Sequence, residues 1–226
     1  MSITPTLISR PPQARALQTR GLLLDAALRV IRSKGYSATT VDDVCRAAGV
    51  TKGSFFHHFS AKEDLAIQAA QHWNEVTGAL FASAPYQSVP DPRDRILAYI
   101  DFRAQIVQGD LANVTCLLGT MVQETFDSHP AIRAACREGM ESHARTLEPM
   151  IAQAKALYAP EADWNAENLA LYTQAALQGA FILAKARGNT YIAVQCIAHL
   201  RHYVQSLLTP VAQPPTISTH SKGTIQ

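Results

Sequence analysis

Apolar residues recur at intervals of three and four along nearly the whole 226-residue chain, and no window of several residues alternates as a strand would. That period admits an all-α fold and excludes a sheet. A first helix is predicted over about 13–34, with Leu23, Ala26, Ala27, Val30 and Ile31 on one stripe and Lys34-Gly35 as its stop. Thr40 then stands before Val41-Asp42-Asp43, a hydroxyl cap followed by acids that suit the positive end of a helix dipole. This short helix runs out at Ala47-Ala48-Gly49, and Thr51 caps another that ends near Phe59. Two short helices therefore flank a tight glycine turn. Ser60 and Glu63 have the spacing of a capping box for a long helix reaching about Ala84, before a loop at Pro85 to Pro92. Further helices are predicted over about 92–108, 111–126, 129–157, 164–187 and 190–208, nine in all, with Pro149 kinking the seventh.

Charge separates the two ends of this layout. Residues 1–60 hold eight Lys or Arg against three acids, while the remainder holds twelve against fifteen. A basic module joined to a mildly acidic body fits a chain whose first part meets a polyanion, and double-stranded DNA is the expected one. No apolar run approaches the length of a bilayer span, and Met1-Ser2-Ile3-Thr4-Pro5 lacks the layout of a signal peptide, so a cytoplasmic protein is expected. Cys45, Cys116, Cys136 and Cys196 have no paired spacing, and His199 and His202 lack an acidic or cysteine partner nearby, so neither disulfide nor metal is expected. No carboxylate pair, nucleophile elbow or glycine-rich phosphate loop is present, which leaves neither an enzyme reading nor a cofactor with residues to rest on.

A short helix, a glycine turn and a second short helix make a helix-turn-helix, in which the second helix enters the major groove. The run Thr51-Lys52-Gly53-Ser54-Phe55-Phe56-His57-His58-Phe59-Ser60-Ala61-Lys62 crowds donors and aromatics onto it. With Thr39-Thr40-Val41-Asp42-Asp43-Val44 and Ala47-Ala48-Gly49-Val50 before it, and Glu63-Asp64-Leu65 after it, the chain resembles the TetR/AcrR family of bacterial regulators over about residues 17–66. The resemblance implies a nine-helix dimer, with the eighth and ninth helices forming the subunit interface and the middle helices enclosing a ligand cavity. It also implies that Thr40 and Thr51 meet phosphates, that Lys52, Ser54 and Phe56 face bases, and that Gly53 allows close approach. His57 and His58 match backbone-contacting positions, and Lys62 matches a phosphate-binding lysine. The family usually has Leu-Tyr where Phe55-Phe56 stand, so a tyrosine hydroxyl is replaced by an apolar ring that can meet a thymine methyl. Phe55 and Phe59, four apart, are expected to anchor the helix in the core.

The domain layout expected is a disordered tail at 1–12, a three-helix DNA-binding unit at 13–60, a helical ligand-binding and dimerisation unit at 61–208, and a second disordered tail at 209–226. Ala176, Gly179, Ala180 and Leu183 on the eighth helix, with Ile197, Leu200, Val204 and Leu208 on the ninth, are the expected homodimer face. Phe102, Gln105, Cys116, Thr120, Gln123, Met140, His143, Tyr172 and Gln178 have the mixed apolar and neutral polar character of a cavity for an unknown small-molecule effector. The function expected is a repressor released from a palindromic operator by that effector. The alternatives are a redox or electrophile sensor acting through Cys116, and a helical interaction protein without DNA binding.

Overall fold

Residues 12–209 are described by a computed structural model, and among them ten α-helices and one 3-10 turn occur without a strand. The tails expected at 1–12 and 209–226 lie outside the described residues, except that Pro12 opens the first helix and Thr209 follows the last. Helix α1 spans Pro12–Lys34, α2 Val41–Ala48, α3 Lys52–His58 and α4 Lys62–Ala82. A 3-10 turn, Pro85–Ser88, leads to α5, Pro92–Ile106. Then come α6, Leu111–Val114, α7, Leu117–Thr125, α8, Pro130–Tyr158, α9, Ala166–Arg187, and α10, Tyr191–Leu207.

The boundaries follow their caps. Thr40 accepts the Asp43 N–H while Asp43 accepts the Thr40 N–H, a full capping box that fixes the start of α2. Gly49 ends α2 at φ 68°, a left-handed conformation that glycine adopts without steric cost. The capping box expected between Ser60 and Glu63 does not form. Helix α4 begins one residue later, and the Asp64 carboxylate, not Glu63, receives both the N–H and the hydroxyl of Ser60. Helix α8 continues through Pro149 as a single element.

The expected sixth helix, 111–126, is two. Its break falls at Thr115 and Cys116, both extended. In a continuous helix the Asn113 carbonyl would accept from residue 117, but it accepts instead from the Arg32 guanidinium at 2.7 Å. The Thr115 hydroxyl takes the Leu111 carbonyl at 2.8 Å. A long-range partner thus ends α6, and the helix total becomes ten.

Two apolar clusters form. One lies among α5, α8, α9 and α10, around Tyr99, Ile100, Leu147, Ile151, Leu177 and Ile197. The other joins Leu23, Ala27, Val44, Phe55, Phe59 and Leu65 to Leu117, Met121, Ile132 and Cys136 of α7 and α8. The N-terminal core therefore extends past residue 60 into the later helices, and α4 contributes to both clusters. Phe55 and Phe59 are 0% and 1% exposed, as anchors of a seven-residue helix must be, since each buried aromatic contributes roughly 1.5–3 kcal/mol.

Helix α10 corrects the expected dimer face. Ile197, Leu200, Val204 and Leu208 are buried within the single chain, as is Ala180. They seal α10 against α5 and α9, so they are not available to a second copy. The large apolar residues left exposed on α9 and α10 are Leu171, Tyr172, Ile182, Leu183, Tyr191 and Tyr203.

The turn between α1 and α2 is held from α4 and α7. Gly35 has φ 88°, and a β-carbon there would collide with the Glu124 carboxylate, which reaches the turn from the end of α7. Gly35→Ala is therefore expected to lower stability by about 1–3 kcal/mol in urea denaturation. Gly49→Ala, with positive φ but open space around it, is expected to cost less. Equal costs at the two positions would show that Glu124 is not pressed against this turn.

Candidate nucleic-acid interface and the cavity behind it

Helix α3 presents one face and buries the other. Lys52, Gly53, Phe56 and His57 are exposed, Ser54 and His58 are half-buried, and Phe55 is fully buried. The Thr51 side chain caps α3 by accepting the Ser54 N–H at 3.2 Å. Phe56, 52% exposed, packs edge-on against Phe55 at 5.1 Å, so its ring is held while its outer face stays free. Burial first, then His57 and Arg20, holds the His58 imidazole below its ordinary pKa.

The surrounding charges are partly paired within the chain. Lys52 lies 3.2 Å from Asp42 on α2. Asp43 is held well below the usual carboxylate range by Lys34 and then by Thr40. The Thr40 hydroxyl itself donates to Asp43 at 2.7 Å. Lys62 sits behind them at the start of α4. Its ammonium donates to the carbonyls of Tyr36 at 3.2 Å, Thr39 at 3.1 Å and Ser37 at 3.5 Å, and lies 4.3 Å from the centre of the Tyr36 ring. It fastens the α1–α2 turn. The Glu124 carboxylate grips that turn from the other side, accepting the N–H of Tyr36 at 3.2 Å and of Ser37 at 2.7 Å.

Behind this surface two small cavities, of about 110 and 130 Å³, share Trp73, Thr77, Phe81, Arg103 and Cys116 in their walls. Of the nine residues expected to line a cavity, Cys116, Met140, His143 and Gln178 do so together in the first. Thr120 and Gln123 face a separate crevice beside Lys185. Phe102 packs into the aromatic cluster of Phe81 and Tyr86, and Gln105 is exposed. Tyr172 lies on the outer face of α9, 5.2 Å from the Tyr203 ring. The lining missed by the sequence comes mainly from α4, where Trp73, Asn74, Thr77 and Phe81 turn inwards, and from Arg103 and Gln174. Only the length of α4 signalled that it passes from one core to the other.

Cys116 is the N-cap residue of α7 and touches both cavities and the crevice. Arg32 and Lys185 are near enough to feel a charge on its sulfur. Burial pushes the Cys136 thiol up to about 12. Among the described residues no group of three or more His, Cys, Asp or Glu side chains could hold a metal, and no helix is long and apolar enough to cross a membrane.

His143 shares a 2.9 Å hydrogen bond with Tyr99, and burial, reinforced by Arg103, holds its pKa down to about 3. The folded chain therefore keeps His143 neutral where the unfolded chain protonates it. Its contribution to stability is complete well above pH 6.5 and falls as pH drops towards 3, by up to about 1.4 kcal/mol per pH unit. His143→Gln is expected to show a shallower loss of stability between pH 6 and pH 4 than the native protein does. Parallel profiles in urea titrations at those pH values would contradict a buried neutral imidazole.

Residues 23–69 match the model described as bacterial regulatory proteins, tetR family, and residues 92–195 match the C-terminal domain of LmrA/YxaF-like transcriptional regulators. The transcriptional regulator AcuR of Cereibacter sphaeroides is 27% identical over 194 residues, covering 82% of this chain and 89% of that one. The regulator CymR of Pseudomonas putida is 30% identical over 141 residues, covering 62% and 67%. A TetR transcriptional regulator of Chloroflexus aurantiacus shares the fold at a TM-score of 0.76 and 24% identity, over 88% of this chain and all of that one.

Proposed function

The chain belongs to the TetR family of bacterial regulatory proteins, and from that membership and the exposed face of α3 we propose that it is a dimeric repressor, released from an inverted-repeat operator by a small molecule. The family consists of transcription regulators, not enzymes. One observation carries the reading. Helix α3 is too short to be stable alone, yet two fully buried phenylalanines fix it so that Lys52, Gly53, Phe56 and His57 face outwards at the basic end of the chain.

Residues 13–60 form the DNA-binding unit in this reading, and 61–208 form the unit that dimerises and takes the effector. Lys52, Ser54 and Phe56 address base edges, while Thr40, Thr51, His57 and His58 address the phosphate backbone. Lys62, expected to bind phosphate, has its three N–H donors on carbonyls of the α1–α2 turn and acts by holding that turn. The dimer forms through α9 and α10, with the exposed Tyr172, Ile182, Leu183 and Tyr203 in place of the buried stripe of α10. Cys116 lines the cavity, so a covalent trigger at its thiol would act through the same wall. Operator release by an alkylating agent that persists in Cys116→Ser would remove that second route.

Fluorescence anisotropy on operator and random duplexes tests the main assignment. Lys52→Ala and Ser54→Ala are each expected to reduce discrimination between the two duplexes by about 1–3 kcal/mol. Lys62→Ala, which releases the α1–α2 turn, is expected to weaken both duplexes alike. If Lys62→Ala changed only sequence preference, the division of roles would be wrong.

A further inference from the structure

Arg103 is the sole charged side chain in the walls of the two adjoining cavities once His143 is neutral. Its guanidinium lies over the Phe81 ring at 5.1 Å and the Phe181 ring at 5.9 Å. The rings fix its plane and leave its charge without an anion. Among the described residues no carboxylate forms an ion pair with it, and its buried Nε has no hydrogen-bond partner. The amide nitrogen of Gln174, which lines the same cavity, is buried and unpartnered as well. Both orphan atoms are N–H donors, and Arg103 and Gln174 both lie against the Tyr99 hydroxyl. A half-buried cation without an anion and two buried N–H donors without partners are costly to leave so, and together they call for one anionic group made only of acceptors.

We propose that the effector is a small organic carboxylate, its oxygens on Arg103 and Gln174 and its apolar body between Trp73, Phe81 and Leu118. The inference rests on the reading of this cavity as the effector site. The chemistry narrows the class further. A single cation suits a monoanion better than a phosphate dianion, and a planar guanidinium matches a carboxylate edge. Cavities of about 110 and 130 Å³ admit a molecule smaller than the ligands of the roughly 300–1,000 Å³ pockets typical of drug-sized compounds.

Calorimetric titration of the full chain with acetate, butyrate, octanoate, benzoate, phenylacetate and cinnamate, each beside its neutral amide and beside inorganic phosphate, tests this. At least one acid is expected to bind, with its amide and phosphate about tenfold weaker or worse. Arg103→Met is expected to lower affinity for that acid by about tenfold or more, and Gln174→Leu by a smaller factor. Arg103→Lys, which keeps the charge in the wall, supplies the comparison should Arg103→Met fail to fold; it is expected to retain part of the binding. The proposal is overturned if none of the acids binds, if amides match acids, or if the Arg103 variants bind the acid as the native chain does. An amide that binds and releases operator would leave the effector cavity standing and remove only the carboxylate, whereas failure to bind any specific duplex would strike the regulator reading itself.

Discussion

Five polar groups of the turn between α1 and α2 lie outside any helix, and two opposite charges from elsewhere in the chain bind them. Lys62 of α4 takes the carbonyls of Tyr36, Ser37 and Thr39, and Glu124 of α7 takes the amides of Tyr36 and Ser37. Charge-assisted bonds of this kind are stronger than neutral ones, and they are directional. The orientation of α2 and α3 is therefore set by two helices that belong to the rest of the molecule. Arg32 adds a third tie by bonding the Asn113 carbonyl and stacking on Trp73, a residue of the cavity wall.

This arrangement gives a physical route between the cavity and the surface. Leu118 and Cys116 of α7 line the cavity, and the same helix ends in the carboxylate that holds the turn. Helix α4 does the converse, beginning at Lys62 and carrying Trp73, Asn74 and Phe81 into the cavity. A shift of either helix on filling the cavity acts directly on residues 35–39. No flexible linker separates the two ends, because one apolar cluster runs from Leu23 and Phe55 to Met121 and Ile132. Coupling through such packed elements needs only that a ligand favour one of two arrangements over the other.

Local chemistry was legible in the sequence, and tertiary chemistry was not. The caps at Thr40, Gly49 and Thr51, the burial of Phe55 and Phe59, and the helix order all follow from spacing and from residues a few positions apart. The break at Thr115 depends on the bond from Arg32 to the Asn113 carbonyl, eighty-one residues away, which no periodicity can register. The stripe of Ile197, Leu200 and Val204 was read correctly as apolar, but a pattern cannot say whether its partner is the same chain or another. Arg103 escaped notice for a related reason. Cation and orphan donor count as surface by composition, and only the rings of Phe81 and Phe181 reveal a guanidinium turned towards the interior. Nothing local in the sequence ties Glu124 to Tyr36 and Ser37, eighty-eight and eighty-seven residues earlier.

The central claim is that two copies of this chain read DNA through α3 with two-fold symmetry. DNase footprinting of the purified protein on the DNA flanking its own gene tests it most directly. The account predicts a protected inverted repeat with half-sites about one helical turn, or a multiple of it, apart, and protection that withstands excess random duplex. Protection without symmetry, or binding that random duplex removes at every salt concentration, would contradict it.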